Sequence, residues 1–338
     1  MSSPTQAKRT VTRADVARLA GVSPAVVSYV LNGTDRPVSP ATRTRVEEAI
    51  AALRYRPNAI ARALRQGTTR TVGLLIPDSS NPLFAELSQE IEAVADAAGY
   101  AIILTNARGD VQHEAQQLRN LVDRQVDGLI VISASMVDPY VDQLQAMGLP
   151  IVVMDRVGPL PGITTVGVDF ELGSSIAVEH MLSHGHRVVA AVLGDDGSPS
   201  TIARERGWAG ALQAAKAQEG PTVRVPFSRE GGYEAGLNLL SRPTPPAAVF
   251  VSSDLQAVGF LRAAHELGIA VPEQTAVISF DGSLECEFTW PALSVVEQPL
   301  TELAHLAMNA LLDGEPGAHT VVQPRLIARA SCGCSPSQ

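Results

Sequence analysis

The sequence predicts a small all-α helix-turn-helix unit followed by an α/β body built as two lobes of doubly wound parallel sheet. Three observations carry this reading. The first is size: 338 residues with 45% hydrophobic content exceed what a single core usually holds, so two or three domains are expected. The second is a division of charge. The first seventy residues hold twelve Lys or Arg against four Asp or Glu, a net charge of +8, while the remainder holds fourteen against thirty-one, a net charge of −17. A basic head of this size either meets nucleic acid or is a solvated tail, and charge alone leaves both open. The third is rhythm. The head carries short apolar stripes at helical spacing broken by Gly and Ser-Pro, and beyond residue 71 apolar runs alternate with amphipathic stretches, as in βαβ units.

The head is read in order. Thr12-Arg-Ala-Asp15 has the form of a capping box, followed by a stripe of Val16, Leu19 and Ala20. Gly21 ends this helix, and Ser23-Pro24 starts a second with an N-cap residue and a proline at the first helical position. In that second helix Val27, Val30 and Leu31 face inward and Pro24, Ala25, Ser28 and Tyr29 outward. Ser39-Pro40 opens a third helix running to about Leu53, with Val46, Ala49, Ile50 and Leu53 on its buried side.

The head resembles the lactose/galactose repressor family of bacterial regulators, whose DNA-binding heads read much like Val11-Thr-Arg-Ala-Asp-Val-Ala-Arg-Leu-Ala-Gly-Val-Ser-Pro-Ala-Val-Val-Ser-Tyr-Val-Leu-Asn32. The resemblance continues through Tyr55-Arg-Pro-Asn58-Ala-Ile-Ala61-Arg-Ala-Leu64, which looks like that family's hinge. It implies that Pro24, Ala25 and Tyr29 hold recognition positions. Thr12, Ser23, Ser28, Asn32 and Arg36 are candidates around the DNA backbone, and Asn58, Ala61 and Leu64 belong to a hinge helix whose leucine wedges into the minor groove. Pro24 and Ala25 lack hydrogen-bonding side chains, so discrimination there must come from apolar contact or DNA shape. The implied partners are operator DNA, read as a near-palindrome by a homodimer, and a small polar, sugar-like effector. The boundaries expected are 10–56 for the helix-turn-helix, 57–70 for hinge and linker, and 71–334 for the body.

In the body, strands are read at 72–76, 101–104, 128–132, 151–154, 188–193, 248–251 and 276–280. Helices are read near 83–98, 112–124, 138–147, 171–183, 203–216, 231–240, 254–267 and 299–312. The resemblance implies a periplasmic-binding-protein-like pair of lobes with chain crossings near 167–170, 297–300 and 325. Ligands of open parallel sheets sit beyond the carboxyl ends of strands. That rule selects Asp78, Asn81, Phe84, Ser133, Asp155, Arg204, Asp254 and Asp281, joined by Phe227 as a stacking face and by Gln298 at a crossing. Carboxylates accept from vicinal hydroxyls, a guanidinium donates in parallel pairs, and aromatic faces cover apolar sugar faces. Arg204-Glu-Arg-Gly207-Trp208-Ala-Gly-Ala-Leu212, Ser279-Phe-Asp281 and Val153-Met-Asp155 are similar to effector-binding segments of the family. For Asp254 and Asp281 a helix cap is the alternative reading.

No Walker loop, Gly-x-Ser-x-Gly, His-Glu-x-x-His or Cys-x-x-Cys occurs, so no enzyme, cofactor or metal is expected. Cys332 and Cys334 read as a frayed tail, with a redox or metal site as the alternative, and His184 and His186 as helix-end residues, with a metal site as the alternative. No apolar run nears the roughly eighteen residues of a membrane span, and the first ten residues are polar and basic, so no membrane association and a cytoplasmic location are expected.

Overall fold

The computed structural model describes residues 11–32, 38–56, 63, 67–107, 111–132 and 138–334. It divides between Thr69 and Arg70 into two compact units.

The head holds α1 (Arg13–Ala20), α2 (Pro24–Asn32) and α3 (Pro40–Leu53). Thr12 and Asp15 close the capping box in both directions, and Gly21 ends α1 at φ 67°, a left-handed turn that costs a glycine little. The Arg13–Ala20 and Pro24–Leu31 segments are bent by 102°, the angle of a helix-turn-helix. The core is Val16, Ala17, Ala20, Val27, Val30, Val46, Ala49 and Tyr55. Leu19 is a correction: it is 56% exposed, because α1 turns its 16/17/20 face inward and Leu19 lies off that face.

In the body, the first sheet has the order β11-β5-β4-β3-β1-β2. Its strands are β1 (Thr71–Ile76), β2 (Ala101–Asn106), β3 (Gly128–Ile132), β4 (Ile151–Met154), β5 (Thr164–Val168) and β11 (His319–Val322). The second has the order β12-β10-β9-β8-β6-β7, from β6 (Val188–Gly194), β7 (Gln218–Val225), β8 (Ala248–Val251), β9 (Ala276–Asp281), β10 (Ser294–Glu297) and β12 (Arg325–Ile327). Every pairing is parallel except β10 with β12, so the second sheet carries one antiparallel edge that the expectation lacked. The helices are α4 (Pro82–Ala97), α5 (Val111–Asp123), α6 (Asp138–Ala146), α7 (Phe170–Ser183), α8 (Pro199–Ala214), α9 (Arg229–Leu240), α10 (Asp254–Glu266) and α11 (Leu300–Asp313). Among the described residues, no single helix is long and apolar enough to cross a membrane.

The chain leaves the first sheet between β5 and α7, returns between β10 and α11, and leaves again between β11 and β12. These are the three expected crossings. One core runs through both lobes, from Val72 and Ile130 to Phe250 and Phe280, and a further core lies on the other side of each sheet. Five strands were not expected: β5, β7, β10, β11 and β12. All are short or polar, and β7, β11 and β12 are edge strands with exposed positions. The expected frayed end is also corrected. A 3-10 turn at Ala330–Cys332 is packed down, with Cys332 only 3% exposed. The Ser331 hydroxyl donates to Val277 O and accepts from Ser294 N.

Candidate functional site

Both sheets share the doubly wound order 2-1-3-4-5, so the order reverses beside β1 in one lobe and beside β6 in the other. The carboxyl ends of the strands at such reversals form the ligand crevice.

Arg204 stands at its centre. Ser198 caps α8 by accepting from Thr201 N, and Pro199 takes the first helical position, which places Arg204 in the second turn with its side chain 6% exposed. Gly207 lies one turn on, where a Cβ would come within 2.0 Å of Glu171 O. The glycine therefore allows α8 to close against α7 and brings Arg204 to Phe170, the first residue of α7. The guanidinium carbon sits 4.5 Å from the centre of the Phe170 ring, 4.7 Å from Phe280 and 5.8 Å from Phe227. These rings fix its plane and favour its charge. Nη2 donates to Asp281 Oδ1 at 3.1 Å, while Nε is buried without a partner.

Asp281 ends β9 at φ 121°, a conformation an L-residue holds only when its surroundings enforce it. Its Oδ1 also accepts from Gln298 Nε2 at 2.9 Å, and its backbone O accepts from Gln298 N at 2.9 Å. Burial pushes the Asp281 carboxyl up to about 8; Arg204 opposes the rise, and Asp254 and Asp155 add to it. Asp155, at φ 59° after β4, is raised to about 6 by burial, against the pull of Arg204 and with a further push from Asp196. Several carboxyls thus share one guanidinium, and burial favours their neutral forms. Phe84, Met154, Asp155, Val168 and Gln298 line one cavity beside it.

The structure brings together Asp155, Arg204, Phe227, Asp281 and Gln298, with Phe84 on the same cavity. Others it gives different work. Asp78 is exposed and accepts from Ser80 N and Ser80 Oγ in a local turn. Asn81 caps α4 by accepting from Leu83 N. Asp254 is a correction in the same sense. Its Oδ1 accepts from Ser279 Oγ at 2.6 Å, and its Oδ2 from Gly282 N at 2.9 Å, Ser283 N at 2.7 Å and Ser283 Oγ at 2.9 Å. Nor is it the cap, which is Ser253. Both oxygens of Asp254 tie down the turn that holds Asp281. Ser133 lies outside the described residues.

Sequence reasoning missed Phe170, Phe280 and Asp196. Asp169-Phe170 stood at an expected crossing, which was the available signal for Phe170. Asp196 is two residues beyond β6, where the strand-end rule applied equally.

On the head, Pro24 and Ala25 are exposed, Tyr29 is half-buried, and Ser23 is exposed while accepting from Val26 N. Two further candidates are also bonded within the head itself. The Thr12 hydroxyl donates to Asp15 Oδ2, and Ser28 Oγ accepts from Arg13 Nη1 at 2.7 Å while donating to Pro24 O at 3.2 Å. The Asn32 side chain, Arg36, Asn58, Ala61 and Leu64 lie outside the described residues.

Residues 12–58 match the family of bacterial regulatory proteins, lacI family, and residues 178–332 match the periplasmic binding protein-like domain. The ribose operon repressor of Escherichia coli is 36% identical over 320 residues, covering 93% of this chain and 94% of that one. The lac repressor dimer bound to operator and the anti-inducer ONPF superposes with a TM-score of 0.85 at 25% identity, over 96% of this chain and 99% of that one. A LacI-family transcriptional regulator from Enterococcus faecium with bound ribose gives a TM-score of 0.71 at 28% identity, over 77% and 98%. With a helix-turn-helix head, a two-lobed body and these matches along nearly its whole length, the chain belongs to the lacI family of DNA-binding bacterial transcription regulators.

Proposed function

We propose that this regulator is a cytoplasmic, non-catalytic repressor that binds a near-palindromic operator as a homodimer and is controlled by a monosaccharide-sized polyol held between its lobes. The buried Arg204–Asp281–Gln298 constellation carries the reading: one guanidinium nitrogen is without a partner, and the carboxyls around the guanidinium outnumber it. In this assignment Arg204 and Gln298 donate to sugar oxygens, Asp155 and Asp281 accept from hydroxyls, and Phe84, Phe170 and Phe227 cover the apolar ring face. The ribose operon repressor and the ribose-bound regulator of Enterococcus faecium support a sugar of pentose size.

On the DNA side, α2 enters the major groove with Pro24, Ala25 and Tyr29 toward the bases. Hinge residues Asn58, Ala61 and Leu64 engage the minor groove at the operator centre. Ser23, Asn32 and Arg36 remain the backbone candidates.

The test is a gel shift of the purified protein on its own upstream DNA at fixed salt, with and without ribose, other pentoses, hexoses and nucleosides. A specific complex whose affinity changes with one polyol supports the reading. Specific DNA binding indifferent to every polyol would overturn the effector assignment, and a body that binds a sugar without any specific DNA complex would overturn the operator assignment.

A further inference from the structure

We infer that the body carries a tetrahedral transition-metal site, best suited to Zn²⁺, formed by His180, His184, Cys332 and Cys334. The site is separate from the effector crevice. His180 lies in the last turn of α7 and His184 is the residue that caps it, so the spacing i, i+4 puts both imidazoles on one helix face. Their ring centres are 4.7 Å apart. The C-terminal turn brings the sulfurs to them. Cys332 ends the 3-10 turn, and Gly333, at φ 92°, reverses the chain so that Cys334 points the same way.

One ligand atom from each of the four residues lies within 4.8 Å of every other. Cys332 Sγ and Cys334 Sγ are each 3.4 Å from His180 Nε2, and Cys334 Sγ is 3.4 Å from His184 Nε2. A tetrahedral Zn²⁺ ion, with Zn–S of about 2.3 Å and Zn–N of about 2.0–2.1 Å, sets its S and N ligands roughly 3.5 Å apart. Three S–N edges of the cage therefore match a Cys₂His₂ site, and the other ligand pairs lie within 4.8 Å. Cys332 Sγ also donates to Arg329 O at 3.3 Å, a bond the thiol gives up when it loses its proton to bind metal. A central cation uses all four groups. Two thiolates and two imidazoles select Zn²⁺ and related ions over Mg²⁺ or Ca²⁺, which take oxygen ligands.

The ion would fasten the chain end to the carboxyl end of α7, the helix whose first residue, Phe170, supports Arg204. Its role is that of a structural clamp on the second lobe, since four protein ligands leave no open position for catalysis.

The test uses the full chain, stripped with chelator under reducing conditions and titrated with ZnCl₂ or CoCl₂. One ion per chain is expected. The Co²⁺ form should show the intense visible bands of a tetrahedral site and thiolate charge transfer in the ultraviolet, and Zn²⁺ should raise the melting temperature. His184→Ala and Cys334→Ser change the two less buried ligands, so the fold should survive, which circular dichroism would verify. Each should weaken binding by more than the roughly 10–100-fold that losing a hydrogen-bond partner of a ligand costs. His186→Ala should bind metal as the parent does. Failure to take up metal, a pale octahedral Co²⁺ spectrum, uptake unchanged in both ligand variants, or loss of uptake in His186→Ala would each overturn the assignment.

Discussion

Asp254→Ala separates a structural residue from a ligand. The Asp254 carboxylate accepts from the backbone N–H groups of Gly282 and Ser283 and from the hydroxyls of Ser279 and Ser283. Alanine leaves the two N–H groups without an acceptor at a buried turn, while the hydroxyls can rotate toward other partners. Each orphaned buried donor costs about 1–3 kcal/mol, so the loss is about 2–6 kcal/mol. At roughly 2–3 °C per kcal/mol for a body of this size, the melting temperature should fall by on the order of 10 °C. Asp254→Asn keeps one oxygen for the two N–H groups and presents its amide to Ser279 Oγ, so it should melt close to the parent and bind effector normally. The assay is thermal unfolding of the three proteins followed by effector titration. An Asp254→Ala protein that melts with the parent, or an Asp254→Asn protein that melts normally but no longer binds effector, would refute the structural role.

Arg204→Met keeps the stem against Phe170 and removes the donors; losing two charge-assisted hydrogen bonds should weaken effector by more than about 100-fold, while operator binding by the unliganded protein is unchanged in a gel shift. Asp155 and Asp281, raised to about 6 and about 8, hold protons in the fold that the unfolded chain releases at lower pH. Their contribution to stability is therefore full in acid and lost as pH rises through 6 and then 8. Thermal unfolding of the unliganded protein should show this decline, its upper limb should flatten in Asp281→Asn, and a hydroxyl-donating effector should stabilise more at pH 8.5 than at pH 6. Gly207→Ala drives a Cβ toward Glu171 O, a backbone atom that cannot yield, so it should part α8 from α7, lowering both the melting temperature and effector affinity. Leu64→Ala should keep effector affinity and lose operator preference, falling toward the affinity for unrelated DNA in competition gel shifts.

The legible parts of the fold were those where local chemistry and tertiary context agree. Ser39-Pro40, Thr12 with Asp15, and Gly21 each act within one turn of helix, and all three held. The central strands are apolar because both faces are covered, so their runs were plain. Edge strands such as Gln218–Val225 carry charge on an open face, and their pairing depends on β6, which no local signal announces. Within the crevice, Arg204 was marked by its spacing to Gly207 and Trp208. Asp254 stood at a strand end like Asp281, and position alone could not separate the two. The difference lies in the four donors that converge on Asp254 from residues 25–29 positions away. A separation of 150–154 positions likewise hid the approach of His180 and His184 to Cys332 and Cys334; His184 read as a helix end and the cysteines as a tail.

The position of the crevice residues relative to the crossings gives the site its leverage. Phe84 and Asp155 belong to the first lobe, Phe227 and Asp281 to the second, and Phe170 and Gln298 lie on the strands' exits between them. Arg204 is bonded to Asp281 and packed on Phe280, so the protein's own contacts hold the second-lobe half of the site together. Asp155 senses Arg204 through charge, and in the proposed assignment a polyol spanning the two would supply hydrogen bonds that require the lobes to be closed. Shifting a conformational equilibrium from 1:99 to 99:1 takes about 5.5 kcal/mol of differential binding. Two to three charge-assisted bonds at roughly 1.5–3 kcal/mol each cover that amount, but only if they form in one lobe arrangement and not in the other. A ligand held by the second lobe alone would switch nothing, so in the proposed assignment the first-lobe contacts at Asp155 and Phe84 are the ones that convert binding into regulation.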